Sequence, residues 1–81
     1  MKLEEAISKR ILSLCKERGL SINKLASMAG LSSSTISSIL YGQSKNTGAR
    51  TILDICEALD MTIYDFYNDP LFKSRDIEGS Y

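Results

Sequence analysis

The sequence predicts an all-α fold, a compact bundle of five helices. Two observations predict it. Apolar residues recur at three- and four-residue steps along most of the chain, and nothing shows the strict alternation of a half-buried strand. In addition, one short pattern occurs three times: an apolar residue, then a hydroxyl residue, then a second apolar residue four places after the hydroxyl. Its copies are Leu20-Ser21…Leu25, Leu31-Ser32…Ile36 and Met61-Thr62…Phe66. Each reads as a helix N-cap with a hydrophobic staple, so helices are expected to start at 21, 32 and 62.

The first helix is carried by Leu3, Ile7, Ile11 and Leu14, with Ala6 and Cys15 widening the stripe. Lys16 and Arg18 sit where the helix dipole is negative, and Gly19 supplies a left-handed stop. A second helix fits 21–29. The third lies in "GLSSSTISSILYG", residues 30–42, where six of thirteen residues are serine or threonine. Such a run suggests a linker, but Ile36, Ile39 and Leu40 occupy one helical face and a linker has no use for them. Serine costs only a few tenths of a kcal/mol against good helix formers. The segment is therefore expected to be a helix over 32–41 with a plain, hydroxyl-covered outer surface, stopped by Gly42.

Residues 42–48, "GQSKNTG", read as a polar loop. A fourth helix over 49–59 buries Ile52, Ile55, Cys56 and Leu59. A fifth over 62–67 turns Ile63 and Phe66 inward, with Asp65 forming a partial capping box, and Asn68-Asp69-Pro70 breaks it. Residues 1–69 thus form the domain and 70–81 a tail. Tyr64, Tyr67, Leu71 and Phe72 make an apolar cluster near the end that either completes the monomer core or forms a dimer contact; the dimer is the preferred reading.

Composition bounds the function. With 81 residues, 43% hydrophobic and 25% charged, the chain fits one globular domain. No apolar run approaches the roughly 18 residues of a membrane span and no leader segment is evident, so a cytoplasmic location is expected. Cys15 and Cys56 read as buried structural thiols. Two cysteines and no histidine assemble no four-ligand zinc site. With no histidine, no Ser/Lys or Cys/base pairing at sensible spacing and no phosphate loop, catalysis lacks parts, so no cofactor and no enzymatic activity are expected. The formal net charge of zero hides a division: residues 1–50 hold eight basic and three acidic residues, net +5, and residues 51–81 hold two and seven, net −5. A chain so divided can offer a basic face to phosphates while staying neutral overall.

Helices 21–29 and 32–41 are separated only by Gly30 and Leu31, the spacing of a helix-turn-helix hairpin. Ala26 is small where they approach, and Gly30 suits a positive φ. Here the chain resembles the Xre/Cro-type, lambda-repressor-like DNA-binding domains. The likeness covers residues 6–67 and includes "LA…GLS…TIS", the Gly42 loop, the "ILDICEAL" helix and the short "TIYDF" helix.

The resemblance implies a five-helix bundle whose third helix enters the DNA major groove, bound as a homodimer to a pseudo-palindromic operator. Carried over by position, Ser33, Ser34 and Ser38 read bases, and Thr35 and Ser37 reach a base or a phosphate. Ser32 caps that helix at the same surface. Lys24, Lys45, Asn46 and backbone amides contact phosphate, with Gln43 and Ser44 at the groove edge. Three positions depart from the family pattern. Ile22 stands where glutamine is frequent, a departure that removes one phosphate contact for which Asn23 or Lys24 can substitute; Thr47 stands for a proline and Tyr41 for a glutamate. Hydroxyls discriminate bases less than the bidentate pairs of Arg, Asn or Gln, so shallow direct readout is expected, with DNA shape supplying the rest. Lys9 and Arg10 read as a solvated helix face; Lys45 and Arg50 flank the loop, where either role is open. The expected function is transcriptional regulation, as a repressor of phage, prophage or host operon type. The alternative is an antitoxin or regulatory module that uses the same fold to bind a protein partner.

Overall fold

The computed structural model describes residues 1–41 and 47–73. Helices run over Leu3–Arg18 (α1), Ile22–Ala29 (α2), Ser33–Leu40 (α3), Ala49–Ala58 (α4), Ile63–Tyr67 (α5) and Pro70–Lys73 (α6). The five expected helices are present within a residue or so of their expected bounds. The sixth arises because Pro70, expected only to break α5, occupies the first position of a new turn, where its missing N–H costs nothing.

Three junctions share one construction. At Gly19, Gly30 and Asp60 the backbone turns left-handed, with φ of 66°, 71° and 53°. The next N–H then bonds back five residues: Leu20 to the Cys15 carbonyl at 2.9 Å, Leu31 to Ala26 at 2.8 Å, Met61 to Cys56 at 3.0 Å. The residue after that caps the following helix. Ser21 Oγ accepts from the Lys24 N–H at 3.0 Å, Ser32 Oγ from Thr35 at 3.1 Å and Thr62 Oγ1 from Asp65 at 3.0 Å. Asp65 completes the expected capping box by accepting from the Thr62 N–H at 3.2 Å. The stop of one helix and the start of the next therefore occupy three consecutive residues, and the apolar middle one is drawn against the core.

With these corners, α1 to α5 pack around one core. Ile11, Leu25, Ile36, Ile52, Ile55, Cys56, Leu59 and Phe66 are its fully buried side chains. α2 lies on α4, α1 lies on α3, and α6 returns to α1. Tyr67 and Phe72 pack onto Phe66 at ring-centroid distances of 5.0 and 6.1 Å and onto each other at 4.9 Å. That part of the aromatic cluster belongs to the monomer core. Leu71 is half-buried, whereas Tyr64 remains 71% exposed.

Two expectations need correction. Ile63 is 43% exposed rather than inward. It is the first residue of a five-residue helix, so no turn lies before it for its side chain to lean on, and Met61 packs against the core instead. Arg10 is not solvated. Its side chain is 11% exposed, and it donates from Nε to the Phe66 carbonyl at 2.8 Å, from Nη2 to Asp65 at 2.9 Å and from Nη1 to Asp69 Oδ2 at 3.0 Å. A cation thus closes the exposed carbonyl end of α5. Arg18 donates to the Leu59 carbonyl at the end of α4 in the same way.

Cys15 and Cys56 are free and buried, as expected. Burial pushes the Cys15 thiol above its ordinary 9.0. The Cys56 thiol is also raised, by burial first, against a lowering by Arg10 and with a further rise from Asp65. The folded state therefore holds these protons at a pH where the unfolded chain has released them. Thermal stability should be unaffected by thiol ionisation below about pH 8 and fall as pH rises past about 9; a melting series across that range checks it.

The corners make a paired prediction. Gly30→Ala should cost about 1 kcal/mol, because alanine resists the left-handed turn, whereas Asp60→Gly should stabilise by about 0.5 kcal/mol. Urea unfolding of the two variants should displace the midpoint in opposite directions. Arg10→Met should cost about 2 kcal/mol, since it leaves two carbonyls and the Asp69 carboxylate without their donor.

Candidate nucleic-acid interface

α3 is held to the core by Ile36 and Ile39, with Leu31 and Leu40 half-buried beside them. Its two ends are fixed by serines. Ser32 caps the start, and its Oγ also lies 2.9 Å from Thr35 Oγ1, so these two hydroxyls share one proton and leave one O–H to donate outward. At the far end the buried Ser8 of α1 donates from Oγ to the Leu40 carbonyl at 2.8 Å. That anchor has no periodicity of its own and is invisible in the sequence.

What remains of α3 faces outward. Ser33, Ser34, Thr35 and Ser37 are exposed and Ser38 is half-buried. Among the described residues, the side chains of Ser33, Ser34, Ser37 and Ser38 have no hydrogen-bond partner. Ser34, Thr35 and Ser38 line an open cleft of about 270 Å³ whose opposite wall is Thr47, Gly48 and Thr51. α4 begins there at Gly48 without a side-chain cap, and its first helical bond runs from the Ile52 N–H to the Gly48 carbonyl at 3.2 Å. The amides ahead of Ile52 therefore point out of the helix start, beside the hydroxyl row. Thr51 was not foreseen as part of this surface. Only the spatial approach of α4 to α3 reveals it.

The expected phosphate contacts divide. Asn23 and Lys24 are exposed on the first turn of α2, where the structure leaves them free to reach outward. Arg50 is exposed and pairs with Asp54 at 3.2 Å one turn along α4, a solvated pair that contributes little to stability. Gln43, Ser44, Lys45 and Asn46 lie outside the described residues, as does Gly42. No group of His, Cys, Asp or Glu side chains able to hold a metal occurs among the described residues. The surface thus consists of neutral hydroxyls and amides with flexible cations at its margin. It can donate hydrogen bonds to anionic and carbonyl oxygens.

Residues 10–70 match the family model of the Cro/C1-type HTH DNA-binding domain. The chain belongs to that family. Residues 10–70 of this Cro/C1-type domain include all three left-handed corners and the Arg10–Asp69 clamp. The domain is also similar to a solved structure, the crystal structure of the prophage Lp1 protein 11. That likeness has 32% identity and a TM-score of 0.82, and covers 91% of this chain and 99% of the other. No curated protein matches the chain. The Cro/C1-type assignment makes this chain a helix-turn-helix DNA-binding domain.

Separate jobs for neighbouring serines give a direct check. Ser32→Ala should lower unfolding stability by about 1 kcal/mol through the lost cap. Ser33→Ala and Ser37→Ala should change it by less than about 0.5 kcal/mol, as for exposed sites. Urea unfolding of the three variants decides it.

Proposed function

We propose that the chain is a transcriptional repressor of prophage or host operon type, acting in the cytoplasm, which lays α3 in the major groove of duplex operator DNA. The observation that carries this reading is the row of unpartnered hydroxyls on a helix pinned at both ends, set beside the uncapped start of α4. Ser33, Ser34 and Ser38 meet base edges, and Thr35 and Ser37 meet a base or a phosphate. The α4 amides and Thr51 lie along the cleft where a backbone phosphate fits. Asn23 and Lys24 hold the strand at the start of α2, and Gln43, Ser44, Lys45 and Asn46 add contacts from the loop.

Short side chains allow the helix to approach the bases closely, thymine methyls included, but each hydroxyl donates or accepts with almost any base. Affinity therefore rests mainly on phosphates and falls with salt. One eight-residue helix reads few bases, so two copies occupy a pseudo-palindromic site and multiply their affinities.

Selection of bound duplexes from a random pool tests this. The expected result is a paired, weakly constrained consensus. Single base swaps under α3 should cost about 1 kcal/mol or less, below the range of bidentate readout. Lys24→Ala should weaken binding equally across sequences and reduce the magnitude of the salt slope by about one. Failure to enrich any duplex at low salt would sink the proposal.

A further inference from the structure

Beyond DNA binding, the structure has a second unpartnered surface, at the opposite end of α4. Ile63 and Tyr64 project from α5 with 43% and 71% of their surfaces exposed. Neither is needed by the core, which takes Phe66 and Tyr67 from the same short helix. The Tyr64 ring stacks on none of the aromatic trio, and its hydroxyl has no partner among the described residues. An open cleft at the α4–α5 corner is lined by Glu57, Asp60, Met61, Thr62 and Asp65, the last two flanking Ile63 and Tyr64 in the chain. Arg18 is tied to the Leu59 carbonyl. Arg10 is occupied by Asp69 and the α5 carbonyls.

The charge decides what can cover such a face. Nucleic acid and anionic lipid are repelled by it. A second copy of this chain is disfavoured too, because a two-fold contact sets each patch against itself and opposes like carboxylates. α4 has ten residues, so the acidic corner stands roughly 15 Å along its axis from the hydroxyl cleft. A partner seated there leaves α3 free.

We propose that the outer face of α5, with the α4–α5 corner, docks a basic amphipathic segment of another protein. The partner's apolar residues pack on Ile63 and Tyr64, and its lysines or arginines sit over Glu57, Asp60 and Asp65. Tyr64 is the anchor: a large, stiff side chain with a polar tip, exposed and next in the chain to Asp65 of the acidic cleft.

The test titrates the isotope-labelled full chain with a helical leucine–lysine peptide and with its leucine–glutamate counterpart, following backbone amide shifts. The expected result is saturable binding of the lysine peptide alone, with shifts centred on residues 57–67 and affinity falling as salt rises. Tyr64→Ala should weaken it about tenfold, and Glu57→Gln with Asp60→Asn several-fold. Unchanged circular dichroism in these exposed-site variants separates lost docking from lost fold. Duplex DNA bound beforehand should leave the peptide affinity unchanged, and a chain that binds no DNA should still bind the peptide. Three results would overturn the proposal: no saturable binding at low salt, equal binding of the glutamate peptide, or shifts centred elsewhere. A concentration-dependent dimer in sedimentation that Tyr64→Ala dissolves would also overturn it, by making a second copy the occupant.

Discussion

The left-handed corner is the constraint on which this fold rests. Short helices of eight, ten and five residues are marginal alone, because each has more unsatisfied terminal groups than internal bonds. At Gly19, Gly30 and Asp60 a single residue with positive φ lets the carbonyls of one helix and the amides of the next be satisfied within three positions. The apolar residue between stop and cap is drawn to the core, so the bend is also a packing contact. Where that device is missing, side chains substitute. Ser8 serves the end of α3, and Arg10 the end of α5.

This division of labour explains how a helix made largely of serine can hold its place in the fold. Its stability comes from Ile36, Ile39, the Ser32 cap and the Ser8 anchor. The hydroxyls of Ser33, Ser34, Ser37 and Ser38 form no hydrogen bond among the described residues and take no part in it. Electrostatics follows the same separation. Carboxylates gather around the far end of α4, and the end of α4 that meets α3 has an uncapped start and Arg50. Formal neutrality of the whole chain therefore says little about either surface.

Much of this was legible in the sequence, and the limit has a physical pattern. Caps, stops and apolar stripes are local, so Ser21, Ser32 and Thr62, and Gly19 and Gly30, could be read from neighbours three or four residues away. The family likeness then implied that the serine face is the one offered to DNA. The missed features depend on distant partners. Arg10 reaches residues 55 to 59 positions away, and Ser8 reaches one 32 away; both look like ordinary polar positions on α1. Asp60 hid its left-handed turn because only glycine advertises one. Ile63 failed because periodicity counts a first-position residue as if a turn preceded it. Thr51 joined the site only through the approach of two helices.

The Ser8 anchor has an evolutionary consequence. Because α3 is tethered from behind, by a hydroxyl on another helix, replacing residues on its front leaves the scaffold intact. A lineage could exchange one serine for arginine or asparagine and acquire a sharper target preference in a single mutational step. On the reading proposed for that surface, its plainness is thus a reservoir of variability, maintained by a side chain on another helix.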